Sequence, residues 1–107
     1  MQSYLDHHAG KLAHRFDANS YLVLTESMLS HDVGRGRGGV ETALADVDAR
    51  ALVVTVDTDR LYLPSQSRRM AAALPASRLH VVRSDFGHDG FLIEVEQVGR
   101  LVTEFLG

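Results

Sequence analysis

The chain has 107 residues, 45% of them hydrophobic, a net charge of −3 and no cysteine. That composition suits one globular domain of modest size with little stability to spare. It excludes disulfides, thiolate metal sites and thiol nucleophiles, and is compatible with a cytoplasmic, reducing location. The mild acidity gives no footprint for nucleic acid, and no apolar run is long enough to span a bilayer. The N-terminal stretch MQSYLDHHAGKLAHR mixes charge and polarity throughout and lacks the apolar centre of a signal peptide.

Along residues 2–30 the apolar side chains recur at helical spacing. Leu5, Ala9, Leu12 and Phe16 form one stripe, and Tyr21, Leu24, Met28 and Leu29 another. Asp17, Asn19 and Ser20 can cap a second helix, so two helices broken near 16–20 are expected. HDVGRGRGG, residues 31–39, is too glycine-rich for regular structure and reads as a loop, with Arg35 and Arg37 in structural ion pairs. With no preceding strand and no repeat, it fits neither a phosphate cradle nor an RNA-binding element. A short helix over 40–47 follows.

From Ala51 the pattern changes. ALVVTV, residues 51–56, is a continuous apolar and β-branched run of the kind found in strands covered on both faces. Pro64 suits the first turn of a helix through 65–74, closed by Pro75. A second strand is expected over 79–83, and then a helix from about 90 to 106 with Phe91, Val95, Val98, Val102 and Phe105 on one face and Asp89 as its N-cap. Two strands joined by a helix should lie parallel in one sheet. Two are too few for an independent parallel sheet, so the chain reads as the C-terminal end of a larger α/β protein.

Ligands of open parallel sheets gather at the carboxyl ends of the strands. Two loops leave such ends here, VDTDRLYLP (56–64) and SDFGHDGF (84–91), and both carry ionisable groups. A turn histidine by itself is commonly structural, and an aspartate after a strand commonly closes an Asx turn. Together, an acid after one strand and a histidine after the next form the arrangement in which a carboxylate orients an imidazole as general base. The order acid then histidine is that of α/β-hydrolase triads. The residues alone leave Asp57 and Asp59 as rival acids. His7, His8, His14 and His31 have no recognised metal-ligand spacing and read as solvated surface.

The combined pattern FDANSYLVLTESM, HDVGRGRGG, VDTDRLY and GHDGFLIE resembles the C-terminal part of the homoserine O-acetyltransferases. These α/β-hydrolase-fold enzymes of methionine biosynthesis move an acetyl group from acetyl-CoA to the hydroxyl of L-homoserine. The resemblance covers nearly the whole chain. It implies residues 1–39 as the end of a helical lid region and return loop, and 40–107 as the strand–helix–strand–helix end of the core. By position in the motif S/T-D-x-L-Y/F the family's triad aspartate falls on Asp59, and its triad histidine in GHDGFL falls on His88. Asp89, next to that histidine, is implied as the contact for the homoserine amino group. The family's proline directly after the loop aromatic is replaced here by Leu63, with Pro64 one place later. No serine has glycine two places before and after it, so the nucleophile elbow is absent from these residues. The resemblance further implies small-molecule partners only, no metal or prosthetic group, acetyl-CoA as co-substrate, and a homo-oligomer, dimeric in the family. Succinyl-CoA as donor, or serine as acceptor, is a close variant. A non-catalytic remnant or interaction module of the same fold is the rival reading.

Overall fold

A computed structural model describes residues 1–107. Its backbone divides into two compact units, 1–32 and 33–107. The first contains helices α1 (Gln2–Arg15) and α2 (Ala18–Ser30). They separate where Phe16 turns extended and Asp17 caps α2, its Oδ2 accepting from the Ser20 N–H at 2.8 Å. Their apolar side chains, Leu5, Leu12, Tyr21, Leu24 and Met28 among them, are exposed.

The second unit opens with the glycine loop. Its ends close on each other, Gly39 N–H donating to Gly34 O at 3.3 Å, so a Cβ at Gly34 would lie 2.5 Å from the backbone of Gly39 and Val40. Arg37 stays within the loop and donates to the Val33 carbonyl. Helix α3 (Val40–Ala45) leads to strand β1 (Ala51–Val56), helix α4 (Pro64–Ala73) and strand β2 (Ser77–Val82). Pro64 takes the first helical position of α4, where its missing N–H costs nothing, and the Gln66 side chain accepts from Leu63 N–H. Glu41 of α3 and Arg69 of α4 form an ion pair.

The strands are parallel and level, Ala51 opposite Ser77 and Val56 opposite Val82. Mixed helix and parallel strand is thus the observed architecture, with a sheet of two strands. The buried apolar core is confined to Ala43, Val53, Val56 and Val82. Most of β2 is exposed, and no third strand pairs with it.

The expected helix over 90–106 is two helices instead. A 3₁₀ turn (Gly87–Asp89) passes into α5 (Gly90–Ile93), and the chain breaks at Glu94 (φ −82°, ψ 50°) before α6 (Val95–Leu106). The break resets the phase of the apolar face. Val98, Leu101 and Phe105 turn inward, whereas Val95 and Val102, expected there, are exposed. Asp89 contributes no side-chain cap, and Glu94 stands at the N-cap of α6. Gln97 holds α6 to the end of β2: its amide accepts from Arg83 N–H at 3.3 Å and donates to Arg83 O at 2.9 Å, as a strand neighbour would. At the other end Arg50 donates to Phe105 O and lies over the Phe105 ring. No helix is long and apolar enough to cross a membrane.

Candidate active site

Because β1 and β2 end level, the loops that leave Val56 and Val82 start side by side. The ladder runs one bond further, from Asp57 N–H to Val82 O at 3.0 Å. Asp57 then turns its carboxylate across to the second loop, where Oδ1 accepts from Ser84 N–H at 3.1 Å. This fixes the loop and occupies the rival acid.

Asp59 is the carboxylate that meets the imidazole. Its Oδ1 accepts from Leu61 N–H at 2.8 Å and Tyr62 N–H at 3.0 Å, an Asx turn that locks the side chain. Its Oδ2 lies 2.9 Å from His88 Nδ1, although 29 residues separate the two. The same carboxylate therefore closes its turn and orients the ring. With a carboxylate as acceptor, Nδ1 carries the proton and Nε2 is the nitrogen left for another partner.

The acid is 7% exposed and the histidine side chain 38%. The hydrogen bond from His88, foremost, holds the Asp59 carboxyl below the usual aspartate range. Burial opposes that shift, while the backbone N–H groups of Tyr62 and Leu61 and the charge of His88 add to it. Around the ring stand Tyr62 and Phe91, their centroids 5.1 and 5.5 Å from that of His88 and both tilted by 59°.

The histidine turn depends on two glycines. Gly87 has φ +59°, a conformation an L side chain rarely adopts. Gly90 is buried, and a Cβ there would come within 2.8 Å of Ser84 Cβ and 2.9 Å of Val56 Cγ1. Removing that atom lets α5 start against the end of β1. Asp89, the third implied site residue, is exposed beside His88.

Chemically, a carboxylate-oriented imidazole can take a proton at Nε2 from a nucleophile and return it to a leaving or attacking group. No group of three or more histidine, aspartate or glutamate side chains is disposed to hold a metal ion. The sequence pattern did not single out Thr58 and Ser84, which tie the two loops together, or Tyr62 and Phe91, which flank the ring. Small hydroxyl residues beside the acidic positions are visible in the sequence, but only the fold shows the Thr58 hydroxyl donating to the Ser84 carbonyl of the other loop.

No family model matches the chain. Curated proteins do. The homoserine O-acetyltransferase of Thermobifida fusca (strain YX) is 54% identical over 107 residues, which are 99% of this chain and 28% of that protein. That of Clavibacter michiganensis subsp. michiganensis is 52% identical over 110 residues, and that of Mycobacterium tuberculosis (strain CDC 1551 / Oshkosh) 50% identical over 108; each match again spans 28% of the relative. The chain is therefore homologous from end to end to the homoserine O-acetyltransferases, and spans about 28% of the length of these relatives.

Proposed function

We propose that the chain is the C-terminal part of an α/β-hydrolase-fold acyltransferase, and that it supplies the acid and the base of a Ser–Asp–His triad. The reaction is acetyl transfer from acetyl-CoA to the hydroxyl of L-homoserine. The observation that carries this reading is the 2.9 Å contact between Asp59 and His88 at the carboxyl ends of adjacent parallel strands. It occurs in a chain about half identical to named homoserine O-acetyltransferases.

The chemistry is double displacement. His88 Nε2 takes the proton of a serine hydroxyl, which belongs to the part of the enzyme outside these residues, as that oxygen attacks the acetyl thioester. The C–S bond breaks and CoA leaves with the proton. The homoserine hydroxyl then gives its proton to the same nitrogen and attacks the acyl-enzyme, and the serine oxygen recovers the proton as it departs. Asp59 keeps Nδ1 protonated and stabilises the imidazolium while it lasts. Asp89, exposed and adjacent to His88, meets the homoserine ammonium. Neither step needs a metal or prosthetic group. The enzyme works in the cytoplasm, as a homo-oligomer.

The test replaces the corresponding 28% of the Thermobifida fusca relative with this chain and follows CoA release. Acetyl-CoA with L-homoserine should turn over, and succinyl-CoA or L-serine should turn over less. Asp59→Asn should lower kcat by about 10⁴-fold, because the ring loses its oriented tautomer, and His88→Ala by at least as much. A folded chimera indifferent to both substitutions would remove the triad assignment. The 107-residue chain alone should release no CoA.

A further inference from the structure

We propose that Thr58 is a positioning residue for the acid–base pair, its hydroxyl setting the separation of the two loops that present Asp59 and His88. Thr58 directly precedes Asp59. Its Oγ1 donates to the Ser84 carbonyl at 2.5 Å and accepts from the Gly87 N–H at 3.1 Å. Gly87 directly precedes His88. One hydroxyl thus joins the residue before the acid to the residue before the base, across 26 and 29 positions of sequence.

The chemistry of the hydroxyl suits this role. It has one proton to give and lone pairs to accept with, and both functions are used on backbone groups. Backbone partners make the clasp rigid, because neither has rotamers of its own. The loops also approach closely there: a Cβ on Gly87 would lie 3.8 Å from Thr58 O. Asp57 secures the base of the second loop through Ser84 N–H, and Ser84 Oγ accepts from Phe86 N–H at 3.2 Å. Between that anchored base and His88, the bond from Gly87 N–H to Thr58 is what carries the fixation forward to the turn. Without it, the Asp59–His88 contact itself must bear the loop's motion.

The inference rests on reading Asp59 and His88 as acid and base of one reaction, and its test reads the ring rather than turnover. Nitrogen-15 spectra of the chimera described above, recorded with His88 neutral, report the ratio of the two ring tautomers. Thr58→Val keeps the side chain's shape and removes the hydroxyl. It should lower the Nδ1–H to Nε2–H ratio roughly 2- to 10-fold, the range spanned by one hydrogen bond of ordinary net strength, while the amide spectrum elsewhere stays native. Thr58→Ser keeps the hydroxyl and should restore most of the ratio. An unchanged ratio in Thr58→Val, or an equal loss in Thr58→Ser, would overturn the proposal. Should Thr58→Val not fold, the unsubstituted chimera decides: Gly87 N–H should exchange with solvent more slowly than Asp85 N–H, and equal rates would overturn it. An inactive chimera with the tautomer effect intact would instead count against acetyl transfer alone.

Discussion

Val56 and Val82 face each other at the last paired position of the two strands, 4% and 0% exposed. Burial of this pair holds the strand ends level, since sliding one strand by a residue would turn its apolar side chains to the opposite face. Everything beyond depends on that registry. Asp57 can reach Ser84, Thr58 can reach Gly87, and Asp59 can reach His88 because the two loops leave the sheet side by side.

The lowered Asp59 carboxyl makes a prediction about pH. A group whose folded pKa is depressed contributes stability above its unfolded pKa, about 3.9 for aspartate, and loses it as pH falls through the folded value. Acidification below the usual carboxylate range should therefore loosen the 57–63 loop first. His88→Ala removes the leading cause of the depression and should move the Asp59 midpoint upward, read from its carboxyl carbon-13 shift against pH. A midpoint that stays in place would show that the Asx turn alone sets it.

Two glycine substitutions should act in opposite directions. At Gly90 the backbone is ordinary right-handed helix, so the objection to a side chain is steric, from Ser84 and Val56. Gly90→Ala should cost about 1–3 kcal/mol, as overpacking does. Gly99 lies inside α6 with nothing within 4 Å of a Cβ, and Gly99→Ala should add about 0.5–1 kcal/mol. Urea unfolding of the two variants beside the parent chain measures both signs.

Thr55 of β1 is 5% exposed, and its Oγ1 is buried without a hydrogen-bond partner. Such a hydroxyl has given up water and received nothing in return. Thr55→Val preserves shape and should raise stability on the order of 1 kcal/mol. A fall of that size in the urea midpoint would mean the hydroxyl is satisfied by bound water.

The sheet predicts association. Both strands have an unpaired edge, and on β2 Leu79 and Val81 are 37% and 38% exposed. Unpaired backbone groups beside apolar side chains invite another strand. Sedimentation of the 107-residue chain should show mass rising with concentration. A monomer throughout the micromolar range would contradict this.

Legibility varied with how local each cause was. The break between α1 and α2, the start of α4 at Pro64 and the bounds of β1 follow from capping, proline and β-branching within a few residues. Strand β2 begins at Ser77, earlier than the apolar pattern indicates, because Ser77 and Arg78 join it through backbone pairing with Ala51 and Leu52. Their side chains carry no sign of it. The interruption at Glu94 was hidden for a similar reason: the apolar residues of 90–106 fit one helix, yet Gly90 must pack on Ser84 and Val56 while Gln97 pairs with Arg83. One straight helix does not serve both ends.

From the amino-acid order alone come two helices, a glycine loop, two strands linked by a helix, and an acidic loop followed by a histidine turn. These rest on forces acting between near neighbours in the chain. The family resemblance already pointed to Asp59 rather than Asp57; the contact of Asp59 with the ring, the occupation of Asp57 by Ser84 N–H, and the hydroxyl of Thr58 between two loops belong to the folded molecule. A hydrogen bond needs its partners within about 3 Å, and only the level pairing of the strands brings groups so far apart in sequence to that distance.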